Sequence, residues 1–189
     1  MMIFLHKSYN WFSSKKSLVM LLTKSVNAEK MTKLLSELLK NSERSDRELA
    51  KVLDVSQPTV SRMKRRLVND KMIMGYSVIP NFYKMGYKIL ALNFVNSKHD
   101  FSSKESREEM IKDVKSWMMD KSNVVYCDSC RGMDMDGGFI SFHKSYEEFD
   151  DFMRQHNLEL GKYLDGAHTV LFNLGRHDVI KPFHFKYLL

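Results

Sequence analysis

The residues best suited to chemistry crowd into one short stretch, Ser56-Gln57-Pro58-Thr59-Val60-Ser61-Arg62-Met63-Lys64-Arg65-Arg66-Leu67. A helix turning about 100° per residue would put Val60, Met63 and Leu67 on one side. Pro58, Ser61, Arg62 and Arg65 then fall on the opposite side, with Thr59 and Arg66 flanking it. An outward face of hydroxyls and guanidinium groups, with no acid, matches what a helix needs in the major groove of DNA. Hydroxyls and arginines reach base edges there, and the remaining cations neutralise phosphates. Gln57 adds a candidate for an adenine edge, and Ser56 stands at the helix start. The competing explanation is a basic helix face that is merely solvated, and the charge run alone does not separate the two.

Other reactive residues form weaker patterns. Cys127-Asp-Ser-Cys130 is a lone C-x-x-C without the further ligands a metal site needs. If both cysteines lie in one strand, positions three apart face opposite sides, so structural thiols are the default reading. His143, His156, His168, His177 and His184 are scattered at no metal-specific spacing. With only two cysteines, no disulfide framework is written. No metal and no cofactor are expected.

The elements that must position the basic stretch are legible around it. Leu34, Leu35, Leu38 and Leu39 predict an amphipathic helix over 31–40. Ser45 with Glu48 three residues on is a capping-box pattern, followed by Leu49, Val52 and Leu53 as an apolar side. Ser56 is placed to cap the third helix, with Pro58 in its first turn. Residues 72–79 predict a short strand or wing after Asn69.

Beyond that point the pattern changes. Apolar runs predict strands at 89–95, 124–130, 139–142 and 167–174. Helices are expected at 103–120 and again after Ser145, which with Glu148 makes a second capping-box pattern. The order β-α-β-β-α-β is ferredoxin-like. The fold class is therefore α+β, an N-terminal winged helix-turn-helix followed by a C-terminal ferredoxin-like domain. The expected layout is an N-terminal extension (1–30), the DNA-binding domain (31–80), a linker (81–88), the ferredoxin-like domain (89–175) and an aromatic tail (176–189).

Charge divides the chain at the same place. Residues 1–88 carry 17 Lys/Arg against 7 Asp/Glu, and residues 89–189 carry 13 against 16. A basic half beside a mildly acidic one suggests one module for a polyanion and one for another task. The apolar run Leu18 to Leu22 is far below the roughly 20 residues of a membrane helix. A soluble, cytoplasmic chain without membrane contact is expected.

The stretch Ser45 to Leu67, followed by Ile73-Met-Gly-Tyr76, resembles the Lrp/AsnC (leucine-responsive, feast/famine) family of transcriptional regulators over about residues 31–175. The resemblance implies double-stranded DNA as partner and homodimers through the second domain, often assembling further into octamers. It also implies an amino acid or other small metabolite as effector. The family's effector loop, Gly-Asp-x-Asp, is matched by Gly132, Asp134 and Asp136 only with one inserted residue. The strand after it begins with Gly137 and Gly138 rather than bulky side chains, so an ordinary Gly/Asp turn is the alternative. No enzymatic activity is expected. The opposing reading is a siroheme-decarboxylase-like enzyme on the same two-domain plan, which would need no cationic stripe like Arg62, Arg65 and Arg66.

Overall fold

The computed structural model describes residues 26–98, 103–176 and 179–188. The chain forms two units, one reaching to Ile79 and including the chain from Pro182 on, the other spanning Pro80–Lys181. The expectation for an N-terminal extension lies, up to residue 25, outside the described residues.

The first unit holds three helices, α1 (Val26–Lys40), α2 (Asp46–Leu53) and α3 (Gln57–Asn69). Met31, Leu34 and Leu38 of α1, Leu49 and Leu53 of α2, and Val60 and Leu67 of α3 close one apolar core. Local chemistry sets the ends. Ser45 Oγ accepts the Glu48 amide at 3.2 Å, and the Glu48 carboxylate accepts the Ser45 amide at 2.8 Å. Both orphan donors at the start of α2 are thereby satisfied. Asp54 ends α2 in the left-handed region, at φ 51°. Glu37, buried at the core's edge, is matched by Lys40 at 2.6 Å and by Arg44. These partners, the Lys40 hydrogen bond first, hold its carboxyl below the usual range.

The wing departs from expectation. Met72 and Ile73 fold back on the helical core, their amides donating to Leu67 O at 2.8 and 3.1 Å. Met74, Tyr76 and Val78 then run exposed, and no strand forms between residues 71 and 88. Among the described residues no second segment offers this one a ladder, so its β-prone residues are left unpaired.

The second unit is a four-stranded antiparallel sheet, β1 (Ile89–Ser97), β2 (Val124–Gly132), β3 (Met135–His143) and β4 (Leu164–Asn173). It runs in the order β2-β3-β1-β4. With α4 (Lys104–Asp120) and α5 (Tyr146–Leu160) as crossovers, this is the ferredoxin-like order read from the sequence. Residues 80–88 belong to this unit. Phe82 stacks on Phe142 at 4.3 Å, and the Lys88 amide donates to His143 O at 2.9 Å. Ser145 caps α5 through the Glu148 amide, but the Glu148 carboxylate turns to the Lys144 amide, so only half of the expected box forms.

The two faces of the sheet differ. On the helix side Trp117, Phe139, Phe152 and Leu160 form the core. On the other side the cross-strand row Tyr126–Ile140–Leu92–Val170 runs over all four strands, with Val170, Phe172 and Tyr126 half exposed or more. Gly137 is explained by closeness, because a Cβ there would sit 2.9 Å from the Val95 methyl. Cys127 pairs with Phe139 on the helix side, whereas the Cys130 sulfur lies near Gly138 on the open side, so the thiols face apart. The tail residues 179–188 add no strand. They form a 3-10 turn, Phe185–Tyr187, beside α1.

A polar chain is buried on the helix side. Thr169 Oγ1 donates to Asn93 Oδ1 at 2.8 Å, Asn93 Nδ2 donates to Ser141 Oγ at 3.0 Å, and Ser141 Oγ lies 2.9 Å from His143 Nε2. His156 sits between Trp117 and Phe139, 5.4 Å from each ring. Burial pushes both histidines below their ordinary value, opposed at His143 by the Glu148 charge and at His156 by its Asn157 hydrogen bond. The unfolded chain therefore binds protons first as pH falls. Their contribution to stability is complete above about pH 6.5 and is lost below it, by up to roughly 1.4 kcal/mol per pH unit for each histidine. The urea midpoint of the full chain should be level from pH 8 to 7 and fall clearly between pH 6.5 and 5.5. A midpoint unchanged across that window would mean the histidines are not neutral in the folded core.

Candidate nucleic-acid interface

Burial fixes the azimuth of α3. Val60 and Leu67 are 0% and 1% exposed, and Met63 packs against the same core. The opposite side is left to solvent. Ser56, Gln57, Pro58, Arg62, Arg65 and Arg66 are exposed, and Thr59 and Ser61 are half-buried at the flanks. The eight residues read from the sequence as a DNA-binding set are thus brought together on one helix.

Their hydrogen bonds differ from the sequence expectation in two places. Ser56 holds the N-cap position, and its carbonyl accepts the Thr59 amide at 2.9 Å. Its hydroxyl, however, meets Thr59 Oγ1 at 2.8 Å instead of capping a backbone N–H. Ser61 is not a free hydroxyl on the outward face, because it donates to the Asp46 carboxylate of α2. The same carboxylate takes Lys64 Nζ at 2.7 Å, with both side chains about three-quarters buried. An acid from the neighbouring helix therefore lies at the edge of a face that the sequence showed as acid-free. Asp46 and Lys64 were missed because an acid in a helix's first turn is expected from the helix dipole alone.

The arginines are held more loosely. Arg62 Nη2 donates to Thr59 Oγ1 at 3.3 Å. Arg66 Nε reaches Asp70 at 3.3 Å in a pair whose side chains are 67% and 54% exposed. Such a pair is worth under about 1 kcal/mol in water and exchanges readily for a phosphate.

The effector-loop residues lie in the other unit. Gly132 and Asp134 belong to the tight β2–β3 turn, where Met133 and Asp134 both adopt left-handed backbone, φ 54° and 57°. That is the geometry of a two-residue hairpin turn, normally filled by Asn-Gly or Asp-Gly. Asp134 is exposed. Asp136 is engaged, its carboxylate accepting both the amide and the hydroxyl of Ser97 at the end of β1. A shallow hollow of about 350 Å³ lies elsewhere, lined by Met153, Asn157, Gly161, Leu164, Asp165, Gly166 and Ala167. No helix among the described residues is long and apolar enough to cross a membrane.

Residues 29–74 match the winged helix-turn-helix DNA-binding family. No curated protein matches the chain by sequence. Solved structures do match in fold. LrpC of B. subtilis has a TM-score of 0.61 at 21% identity, over 76% of this chain and 91% of its own. A transcriptional regulator of Neisseria meningitidis, solved as a complex with L-methionine, has 0.66 at 17%, over 85% and 97%. An AsnC-family transcriptional regulator of Agrobacterium tumefaciens has 0.65 at 16%, over 85% and 98%. In fold, the chain is built as the Lrp/AsnC regulators are, a helix-turn-helix of the winged DNA-binding type ahead of a ferredoxin-like domain.

Proposed function

We propose that this protein is a sequence-specific DNA-binding transcriptional regulator that acts as a dimer and responds to an amino acid or similar small metabolite. The observation that carries the reading is the exposed row Arg62, Arg65 and Arg66 on a helix whose opposite side is locked in the core by Val60 and Leu67. Arg62 and Arg65, near the centre of the exposed face, are assigned to base edges together with Gln57. Arg66, at its flank, is assigned to phosphate. Dimer formation is supported by the apolar row Tyr126–Ile140–Leu92–Val170 on the open side of the sheet, which one copy leaves in water. The methionine complex of the neisserial protein supports an effector of this class. Its place is assigned to the β2–β3 turn because Gly132, Asp134 and Asp136 resemble the family's effector loop, with the exposed Asp134 as its polar anchor. Against the decarboxylase reading, the exposed stripe Arg62, Arg65 and Arg66 is present, and His143 and His156 are buried in the core, where they are not accessible to a siroheme ring.

The direct test is an anisotropy titration of the full chain on selected and random duplexes over a salt series. Arg62→Ala and Arg65→Ala should each cost roughly 1–3 kcal/mol on the selected duplex and relax its sequence preference. Arg66→Ala should weaken both duplexes alike and flatten the log–log salt dependence by about one unit. If the folded variants bind both duplexes as the parent does, α3 is not the reader.

Assembly is tested by sedimentation. The parent should be dimeric or larger at micromolar concentration, and Val170→Asp, which puts a charge in the open-face row, should shift it to monomer. A monomeric parent removes the proposed interface. For the effector, calorimetry against a panel of amino acids should give heat with at least one member, reduced by Asp134→Ala. No heat at millimolar ligand removes the sensing role.

A further inference from the structure

Asp46 opens α2, but its carboxylate serves α3. One oxygen lies 2.7 Å from Lys64 Nζ, and the other accepts the Ser61 hydroxyl. Ser61 and Lys64 are three residues apart, so they share one flank of α3 and one carboxylate can hold both. The Lys64 and Asp46 side chains are 24% and 23% exposed, whereas those of Arg66 and Asp70, the other ion pair on this helix, are 67% and 54% exposed. Four cations stand between Arg62 and Arg66; two of them carry ion pairs, and of these only the Lys64 pair is drawn largely out of solvent.

We propose that Asp46 sets how this helix-turn-helix divides its affinity between specific and random DNA, by withholding the Lys64 charge from the phosphate backbone. The inference rests on the DNA-binding reading above. Affinity for random duplex scales with the number of cations delivered to phosphates, because each one releases a counterion. A lysine is a flexible point charge that serves any sequence equally, while an arginine can engage a guanine edge in two hydrogen bonds. Locking the lysine and leaving the arginines exposed thus removes an indiscriminate contact and keeps the discriminating ones. The Lys64 hydrogen bond first, and the Ser61 hydroxyl second, hold the Asp46 carboxyl below the usual range. The carboxylate therefore stays charged at any pH near neutrality, and the lock persists where DNA is bound.

The test uses the full chain, the same two duplexes and the same salt series, with two variants. Asp46→Asn frees Lys64. On random DNA it should steepen the log–log salt dependence by about one unit, which is an extra loss of about threefold across a fourfold rise in salt. It should also bind random DNA more tightly than the parent at low salt, so the ratio of selected to random affinity falls. The second variant combines Asp46→Asn with Lys64→Met, which removes both charges and keeps the local net charge of the parent. Its salt slope should equal the parent's. If Lys64 already contacts phosphate, the single variant keeps the parent's slope and the double variant is flatter by about one unit, and either result overturns the proposal. Circular dichroism confirms folding, and the double variant decides alone if the single one misfolds. A parent that binds no duplex at any salt would overturn the DNA-binding reading itself, an outcome separate from a parent that binds while Asp46→Asn changes nothing.

Discussion

The outward chemistry of the first unit depends on one constraint, the burial of Val60 and Leu67. Each is worth roughly 1.5–3 kcal/mol when fully removed from water. Rotating α3 by one residue would carry an arginine toward the core, and an uncompensated buried guanidinium costs several kcal/mol. The two terms act in the same direction, so α3 has one azimuth. The exposed row of arginines is the consequence of that azimuth and needs no interaction of its own to hold it in place.

Once the azimuth is fixed, acids decide which cations are available. Asp46 and Asp70 both pair with side chains on α3, yet the two pairs are not equivalent. The Asp70 pair is largely solvated and weak, and salt or a competing phosphate displaces it. The Asp46 pair is drier and is reinforced by the Ser61 hydroxyl on its second oxygen. A count of 17 basic residues in the first 88 therefore overstates what this half offers to a polyanion. The useful number is the count of cations that can leave their partners.

Much of this was legible in the sequence, for a physical reason. The start of α2 is encoded by Ser45 and Glu48, three residues apart, and the strands by runs of four to eight residues rich in apolar side chains. Signals of that range survive without knowledge of the rest of the fold. The Asp46–Lys64 pair spans 18 positions, and the Asn93–Ser141 bond spans 48. Such contacts exist only after packing has chosen which faces meet. The hydroxyl of Ser61 was placed on the right side of its helix, but the helix periodicity carries no information about which neighbour lies against that side. The wing failed differently. Residues 74–79 have strand composition, yet a strand is a relation between two segments, and among the described residues no second strand pairs with them.

The sheet unit shows the same dependence on pairing. Its buried polar chain runs from Thr169 on β4 through Asn93 on β1 to Ser141 and His143 on β3, so three strands share one set of hydrogen bonds. A register slip of one residue would turn all of these groups to the other face of the sheet and leave them unmatched, at roughly 1–3 kcal/mol for each orphaned group. Apolar side chains alone would tolerate such a slip more easily, because the open face is itself apolar along Tyr126, Ile140, Leu92 and Val170. With both faces hydrophobic, the polar chain is what tells them apart. It keeps Phe139 under the helices and leaves the row of Leu92 and Ile140 on the open side.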